Sequence, residues 1–581
     1  MTQNQELATR FEELAALMEI VGANTFRVSA IRKVARILED LDVDITTIAH
    51  DTKELKAIDG IGDGSATKIQ QWCERGSFDD LDQLREDVPE GLIDLLSISG
   101  LGPKTVGRLW READVTDRAT LKAAIDDGRL ANLPRMGAKT IANINEALEF
   151  AQQHADRTPL GVAMPLAESL VEQLLQVKGV SSIQYAGSLR RGCETIGDID
   201  LLAVTEHPEA LVAAFTDEAH TLKVLARGDT KASIRHALGV QVDLRIVEAD
   251  AVGGALLYFT GSKEHNVLLR ERARSRTTRL NEYGLFPDDG DDTPPQQRGI
   301  APIAAATEDE IYTALELPFH PPELREARDD ITNEPADDLI VRADIGSDLH
   351  THTTASDGVL SIEELVDEAR RRGYHTLAIT DHSPSQPQAN GLSIDRLLKH
   401  IKAIAQVAAN HQDICVLAGT EVDILSDGRL DYPDDVLSQL DLVVASPHAA
   451  LRQDSNAATE RLVRAASHPL VHIIGHPTGR MIGRRPGLEP NMKVVAEAAA
   501  DHRTALEINA NPRRLDLRDK HVRIAIECGA MIAINTDAHT AEHFDFLRYG
   551  ILTGRRGGLT APRCINTWAN DTLMDWLKTS V

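Results

Sequence analysis

Asp348-Leu-His-Thr-His352 ends a short apolar run, and six more such runs follow it. Each is closed by a polar cluster: Thr380-Asp-His382, Thr420-Glu421, Ser446-Pro-His448, Gly475-His476-Pro, Asn509-Ala-Asn511 and Asn535-Thr-Asp-Ala-His539. Helical, alanine-rich segments lie between them. Short strands alternating with helices predict a parallel β/α arrangement. Seven strands predict a closed or nearly closed barrel with its chemistry at the C-terminal strand ends.

Six of the seven ends carry His, Asp or Glu, and Asp357 lies just beyond the first. A lone histidine at a strand end reads as a surface or hydrogen-bonded residue, but six matching ends do not read as coincidence. So many candidate ligands imply more than one ion, since a single transition-metal site takes about four. Imidazoles mixed with carboxylates suit zinc, manganese or iron better than magnesium alone. Paired ions of this kind activate water and clamp a phosphate, so phosphoester hydrolysis is the expected reaction.

Upstream, Asp198-Ile-Asp-Leu-Leu-Ala-Val204 and Val240-Gln-Val-Asp-Leu-Arg-Ile246 alternate as half-buried strands. Asp198 and Asp200 are two apart, so both leave one face, and Asp243 lies in similar register. Three carboxylates on one sheet face form an oxygen-only site suited to Mg²⁺ carrying phosphates. Gly187-Ser-Leu-Arg-Arg-Gly192 places glycine and serine where a helix could begin after a strand, offering backbone N–H groups to a triphosphate. A lone DxD would read as a solvated strand; with this turn before it and Asp243 after it, nucleotidyl transfer is the better reading.

Residues 1–150 are short helical patterns (Leu14, Leu17, Met18, Val21; Ile31, Val34, Ile37, Leu38) punctuated by glycine hairpins. Ile58-Asp-Gly-Ile-Gly62 and Ile98-Ser-Gly-Leu-Gly102 are followed by Leu133-Pro-Arg-Met-Gly137, in which Arg135 replaces the first glycine. A recurrence of about 35 to 40 residues points to a repeated helical unit. A G-x-G turn lets the backbone approach a phosphate while the next helix presents its N-terminal N–H groups.

Composition bounds the rest. The 581 residues predict about four structural units, and 42% apolar residues exclude wholesale disorder. Lys+Arg 62 against Asp+Glu 90 gives a net charge of −28, so any contact with nucleic acid must come from local basic patches. One such patch runs from Gly261 to Arg279, with six basic residues against two acidic. Five scattered cysteines without a CxxC argue against disulfides or a zinc ribbon and for a reducing cytoplasm. No apolar run reaches the roughly 18 residues of a membrane span, and the N-terminus lacks the pattern of a signal peptide. Residues 323–341 are charged and poor in periodicity, which predicts a linker.

Residues 342–570 resemble the PHP (polymerase and histidinol phosphatase) family, which implies a distorted (β/α)7 barrel with three metal ions. By that resemblance the ligands are His350, His352, Asp357, His382, Glu421, His448, His476, Asp537 and His539, while His375, His472 and His502 fall outside the pattern. Residues 1–320 resemble the family X DNA polymerases through the GS-x-RRG turn, the DxD and Tyr258-Phe-Thr-Gly-Ser262. The resemblance implies catalytic metal-binding aspartates at Asp198, Asp200 and Asp243. It places Gly187, Ser188, Arg191 and Gly197 on the triphosphate, Tyr258, Phe259 and Gly261 near the sugar, and Asn266 and Arg270 at the nascent pair and template. The hairpins resemble helix–hairpin–helix modules, with Gly60, Gly62, Gly100, Gly102 and Lys104 on DNA. Lys68 aligns with the amine of members that have deoxyribose-phosphate lyase activity, although a phosphate contact fits it equally.

The expected architecture is multidomain α/β. It comprises an N-terminal helical DNA-binding, lyase-like domain (1–90), a helix–hairpin–helix fingers-like region (91–158), a nucleotidyltransferase palm (159–260), a thumb (261–322), the linker (323–341) and the PHP domain (342–581). The expected function is a cytoplasmic, monomeric DNA-directed DNA polymerase. It would fill short gaps at gapped or nicked double-stranded DNA from dNTPs, in base excision repair, with Mg²⁺ at the palm. The PHP site, with about three Mn²⁺ or Zn²⁺ ions, would act as a 3′–5′ exonuclease, with abasic-site cleavage as a further expectation. Two alternatives stand beside it: a small-molecule phosphatase activity in the PHP domain, and a non-catalytic DNA-end scaffold.

Overall fold

The computed structural model describes residues 3–578 except 40, 42–43, 59, 97, 99, 135, 155–156 and 218–220. Arg135 of the third hairpin therefore lies outside the described residues. The chain divides into an N-terminal helical unit, which includes residues 483–485, and a larger unit that holds the rest from residue 156. No described helix is long and apolar enough to cross a membrane.

The N-terminal unit is a bundle of short helices built on Gln3–Ile20 and Thr25–Glu39. Leu14, Leu17, Met18, Val34 and Leu38 from the two periodic stretches are buried with Phe11 and Phe78, whereas Val21 is exposed. Chain direction is set by capping: Asp51 accepts from the Lys53 N–H to start Thr52–Ala57, and Asp117 forms a reciprocal pair with Thr120 to start Arg118–Asp126. Gly60 and Gly100 both take φ +92, a left-handed conformation that favours glycine, so the two complete hairpins turn alike at this position.

The larger unit opens with a five-stranded sheet: β1 (Val180–Tyr185), β2 (Asp198–Thr205), β3 (Thr221–Arg227), β4 (Lys231–His236) and β5 (Gln241–Ile246). Their order is β1-β2-β5-β4-β3. Only the β2–β5 pair is parallel. Ile199, Leu201 and Ala203 of β2, with Val242 and Leu244 of β5, point into one hydrophobic core. Strand alternation therefore leaves Asp198, Asp200 and Asp243 on the opposite face. The basic helix Lys263–Ser275 and the hairpin Thr278–Asn281/Gly284–Pro287 follow, packed around Leu257, Leu269 and Tyr312.

Seven parallel strands then run in sequential order: β6 (Ser347–Asp348), β7 (Thr376–Ile379), β8 (Cys415–Asp423), β9 (Leu442–Ser446), β10 (Ile473–Ile474), β11 (Ala505–Asn509) and β12 (Ile532–Asn535). Thr351 bridges Ala538, and the His352 N–H donates to the Ala538 carbonyl at 2.9 Å, which joins the last strand end to the first. The inward residues Ala378, Leu417, Val444, Ile473, Ala505 and Ala533 meet Leu573, Trp576 and Leu577 of the C-terminal helix Asn570–Lys578 in one cluster. That helix packs hydrocarbon against the inward residues beside the strand starts, and the polar strand ends are left to form a site at the other mouth.

Residues 323–341 are not a loose linker. Arg325 is fully buried, donating to the His320 carbonyl at 2.8 Å and to Glu308 at 2.5 Å. Arg328 pairs with Asp519 at 2.7 Å, Glu323 with Arg555 at 2.7 Å, and Asp329 with Arg523. Ile340 is also fully buried. The segment lacks helical or strand periodicity because it is held by ion pairs at irregular intervals.

Candidate active sites

The palm site is built by register. Asp200 stands directly opposite Asp243 in the parallel β2–β5 ladder. Asp198, two residues along β2, brings the three carboxylates within 4.8 Å of one another. The short helix Gly187–Arg190 begins against them. Gly187 has φ +63, and a Cβ there would sit 2.6 Å from Asp200 Oδ2, so only glycine lets the turn come so close. Burial, then repulsion from Asp198 and Asp243, pushes the Asp200 carboxyl up to about 7. A carboxyl so raised, facing two further carboxylates, marks a site that a cation would relieve.

Around this site the sequence-derived residues divide. Tyr258 is partly exposed and stacks edge-on with Phe259, at 5.1 Å between ring centres. Asn266 is fixed by a 2.7 Å bond to the Tyr258 carbonyl. Tyr258 and Arg270 line one cleft with Arg274 and Arg279, which gathers part of the basic patch into one surface. Arg191 is engaged elsewhere, donating to the Thr260 carbonyl at 2.5 Å and to Glu326 at 3.0 Å. Arg190 holds Glu308 through two bonds, at 3.0 and 2.7 Å. The cations acting on Asp200 are instead Arg245 and Lys231, neither of which sequence reasoning singled out. Their signal was alternation: Arg245 shares a face with Asp243 on β5, and Lys231 is its partner on β4. Gly197 is exposed and Ser188 partly buried at this edge.

At the barrel mouth all nine expected ligands converge. His352, Asp357, His382 and His539 form one set, His350, His352 and Asp537 a second, and His382, Glu421 and His448 a third, each spanning no more than 4.8 Å. His352 and His382 are each shared by two sets. Fully buried Glu421 lies at the centre, 2.7 Å from His382 Nδ1, 2.8 Å from His476 Nε2, 3.3 Å from His448 Nε2 and 3.4 Å from His350 Nε2. Asp537 Oδ1 is 3.0 Å from His352 Nε2. His350 Nε2, both His352 nitrogens, His382 Nδ1, both Glu421 oxygens and Asp537 Oδ1 are buried without a hydrogen-bond partner. They crowd one another at angles that make no hydrogen bond, as ligand atoms aimed at shared points would. Such a donor set fits divalent metal ions. His476 (φ +25) and Asp537 (φ +53) adopt left-handed backbone conformations, which in non-glycine residues cluster at functional sites.

Charge follows the same geometry. Burial opposes a positive His448, but Glu421 and Asp423 outweigh it and push the imidazole up to about 9. At His539 burial is likewise outweighed, by Asp357 and Asp537, again to about 9. His352, buried between His539 and His382, is pushed down to about 4. Asp357 and His539 keep 33% and 26% of their side chains exposed, so this edge is the open side of the site.

Sequence reasoning missed the residues that hold the ligands. Glu507 of β11 accepts from His350 Nδ1 at 2.7 Å, from the His476 N–H at 2.6 Å and from Asn535 Nδ2 at 2.9 Å. The sixth barrel strand thus contributes its carboxylate inside the strand, two residues before its asparagine end. Asp423, two residues beyond Glu421, bonds His448 Nδ1 at 3.2 Å. Asp423 was legible as the same-face neighbour of Glu421 in an alternating strand, whereas Glu507 had no candidate ligand beside it to mark it. His472 is structural: it takes the Val443 N–H at 3.1 Å and meets the Leu577 carbonyl at 3.2 Å.

In the N-terminal unit Gly62 and Gly102 cap the helices Asp63–Arg75 and Pro103–Ala113, and open space surrounds Gly62, Gly100 and Gly102. Lys104 is exposed. Lys68 is mostly covered, its ammonium 2.8 Å from Asp80.

A three-carboxylate palm and an imidazole-rich seven-stranded barrel on one chain define a two-centre metal-dependent enzyme class. Family comparisons agree part by part: helix–hairpin–helix domain at 2–78 and SAM-like helix–hairpin–helix tandem at 92–149, DNA polymerase beta thumb at 255–326, PHP domain at 348–511. The chain is 37% identical over 579 residues to the "DNA polymerase/3'-5' exonuclease PolX" of Bacillus subtilis, covering 99% of each. It therefore belongs to the family X DNA polymerases that carry a C-terminal PHP domain. A "Probable phosphatase" of Syntrophotalea carbinolica is 28% identical over 240 residues, 39% of this chain and 93% of its own. A solved ternary complex of Leishmania infantum polymerase beta matches 41% of this chain and 98% of its own at 22% identity, with a TM-score of 0.28.

Proposed function

We propose that this protein is a DNA-directed DNA polymerase that fills short gaps during repair, with a 3′–5′ exonuclease in the barrel. The observation that carries the reading is the presence of two donor sets of different chemistry in one chain: three carboxylates on the palm, and imidazoles around Glu421 in the barrel. Hard oxygens suit Mg²⁺, and imidazole-rich sets suit Mn²⁺ or Zn²⁺. We assign Mg²⁺ to Asp198, Asp200 and Asp243, and about three transition-metal ions to the nine barrel ligands.

Divalent ions, when bound, supply Lewis acidity and an activated oxygen nucleophile. The chain's own groups do the rest. The Gly187–Arg190 turn offers N–H groups beside the carboxylates for the triphosphate of a dNTP, and Tyr258, held from behind by Asn266, presents its ring to the sugar. Arg270, Arg274 and Arg279 supply positive charge for the DNA backbone that the overall charge of −28 denies. The hairpins at Gly60–Gly62 and Gly100–Gly102, with Lys104, grip gapped or nicked duplex without reading its sequence. At the barrel, the exposed edge of Asp357 and His539 admits a 3′ end while Glu421 and His350 stay dry. Lys68 serves as the lyase amine only once released from Asp80. The protein acts as a monomer in the cytoplasm, with working boundaries at residues 90, 158, 260, 322 and 341.

Gapped, 5′-labelled DNA tests the reading with three proteins: wild type, Asp243→Asn, and the double variant His352→Ala/Asp537→Ala. The expected result is loss of extension with retained digestion in the first variant and the reverse in the second, digestion being stronger in Mn²⁺ than in Mg²⁺. Loss of both activities in either folded variant overturns the two-site reading.

A further inference from the structure

Residues 192–195, which follow the palm turn, form one wall of a cavity of about 290 Å³ whose opposite wall is the barrel. Arg157 enters from the palm side, Arg328 from the 323–341 segment, and Arg518, Lys520 and Arg556 from the barrel. Three carboxylates share this lining, and all three are already engaged. Asp519 is held by Arg328 at 2.7 Å and Arg556 at 2.9 Å, Glu326 by Arg556 at 2.8 Å and Arg191 at 3.0 Å, and Glu194 by Arg480 at 2.7 Å.

Arg157, Arg518 and Lys520 are left with no carboxylate within 4.0 Å among the described residues. Arg157 spends its donors on the Thr195 hydroxyl at 2.9 Å and carbonyl at 2.5 Å. Arg518 Nε is buried with no hydrogen-bond partner. Arg518 also caps the nine-residue helix Asp519–Glu527, whose N-terminal dipole adds to the positive field. In a chain with a net charge of −28, five cations against three carboxylates around one hole are a local reversal of sign. Arg157 and Lys520 are exposed, but Arg518 is half-buried with no carboxylate within 4.0 Å; keeping it partly out of water is costly, and a multiply charged anion would offset that cost.

We propose that this cavity is a phosphate site separate from both metal centres, taking a small phosphorylated anion: pyrophosphate, or the phosphate end of a nucleotide. Its occupancy is coupled to the palm. Arg556 donates to the Arg191 carbonyl at 2.8 Å and holds Glu326, which in turn holds the Arg191 side chain. An anion that draws Arg556 and Arg328 toward itself loosens the grip on Arg191, four residues from Gly187. On the polymerase reading above, a product of either centre can thereby report to the turn that holds the incoming triphosphate. The binding site itself does not depend on that reading.

Calorimetric titration of the full-length Asp200→Asn protein in EDTA tests this, because neither metal centre can then hold the anion through an ion. Pyrophosphate, orthophosphate and dAMP are titrated in parallel. Pyrophosphate is expected to bind at one site at least about tenfold more tightly than orthophosphate. dAMP binding tighter than pyrophosphate assigns the site to nucleotides, and weaker binding assigns it to inorganic polyphosphate. Adding Arg518→Ala/Lys520→Ala should weaken pyrophosphate at least about tenfold, and Arg518→Lys/Lys520→Arg should keep it. If the alanine pair lowers the melting temperature too far, Lys520→Glu, on an exposed side chain, must weaken binding instead. Absence of saturable binding, or affinity unchanged by the alanine pair or by Lys520→Glu, overturns the proposal.

Discussion

Glu507→Gln tests whether the barrel's metal centre depends on a carboxylate that is not itself among the ligands. Glu507 takes four donors: His350 Nδ1 and Asn535 Nδ2 on one oxygen, and the His476 N–H and, at 3.5 Å, Asn509 Nδ2 on the other. Glutamine is nearly the same shape but keeps one acceptor oxygen and sets an NH2 group against a donor, so one side of this arrangement is lost. A buried hydrogen bond to a charged group contributes about 1.5–3 kcal/mol. Loss of a partner that orients a metal-binding histidine typically weakens metal affinity about 10–100-fold, or about 1.4–2.8 kcal/mol. The two routes agree. The assay is titration of free Mn²⁺ by electron paramagnetic resonance, with 3′–5′ digestion followed at limiting and excess metal. The variant should need about 10–100 times more Mn²⁺ for half-saturation. It should regain digestion as metal is raised and extend primers in Mg²⁺ at the wild-type rate. A folded variant that binds Mn²⁺ as tightly as wild type would refute the positioning role.

Without metal, His448 and His539 are pushed up to about 9. Their contribution to stability is therefore complete below the ordinary value near 6.5 and is lost as pH rises through about 9. The melting temperature in EDTA should fall from pH 6.5 to 9 while that of the Mn²⁺-loaded protein does not, and a rise in EDTA over that window would contradict the reasoning. Gly187→Ala places a Cβ 2.6 Å from Asp200 Oδ2 at φ +63, so gap filling should drop at least about 100-fold while nuclease activity is kept. Undiminished extension would remove the turn from the palm site. If Lys68 is the lyase amine, borohydride should trap wild type on an incised abasic site and fail to trap Lys68→Ala. Asp80→Asn should be trapped faster, because it frees the ammonium held at 2.8 Å. Equal trapping of wild type and Lys68→Ala assigns the imine to another amine.

The barrel and the gathering of its candidate ligands were legible because β/α alternation and imidazole-bearing strand ends are local patterns: nine positions could be named and all nine converge. The palm acids were legible for the same reason, since Asp198, Asp200 and Asp243 obey a period of two. What the sequence hid is long-range. Glu507 looks like any charged residue in an apolar run until the barrel turns it beneath His350. Arg191 belongs to a turn that suggests phosphate, yet its guanidinium is taken by Glu326, 135 positions away. Residues 323–341 read as a tether because ion pairs with partners up to about 230 residues distant leave no periodicity.

Leu515 and Tyr549, which belong to the barrel half of the chain, sit in the same hydrophobic core as Ile199 and Leu201 of the palm. The Arg548–Glu168 and Arg480–Glu194 pairs flank that contact. A gene shortened at residue 341 would therefore encode a polymerase half with an oily underside and stranded acids, prone to clump before it could copy anything. Nuclease loss by deletion is costly for such a lineage, whereas loss by point substitution at the mouth of the barrel spares the scaffold. Descendants that discard the editing chemistry should keep the barrel as a silent buttress.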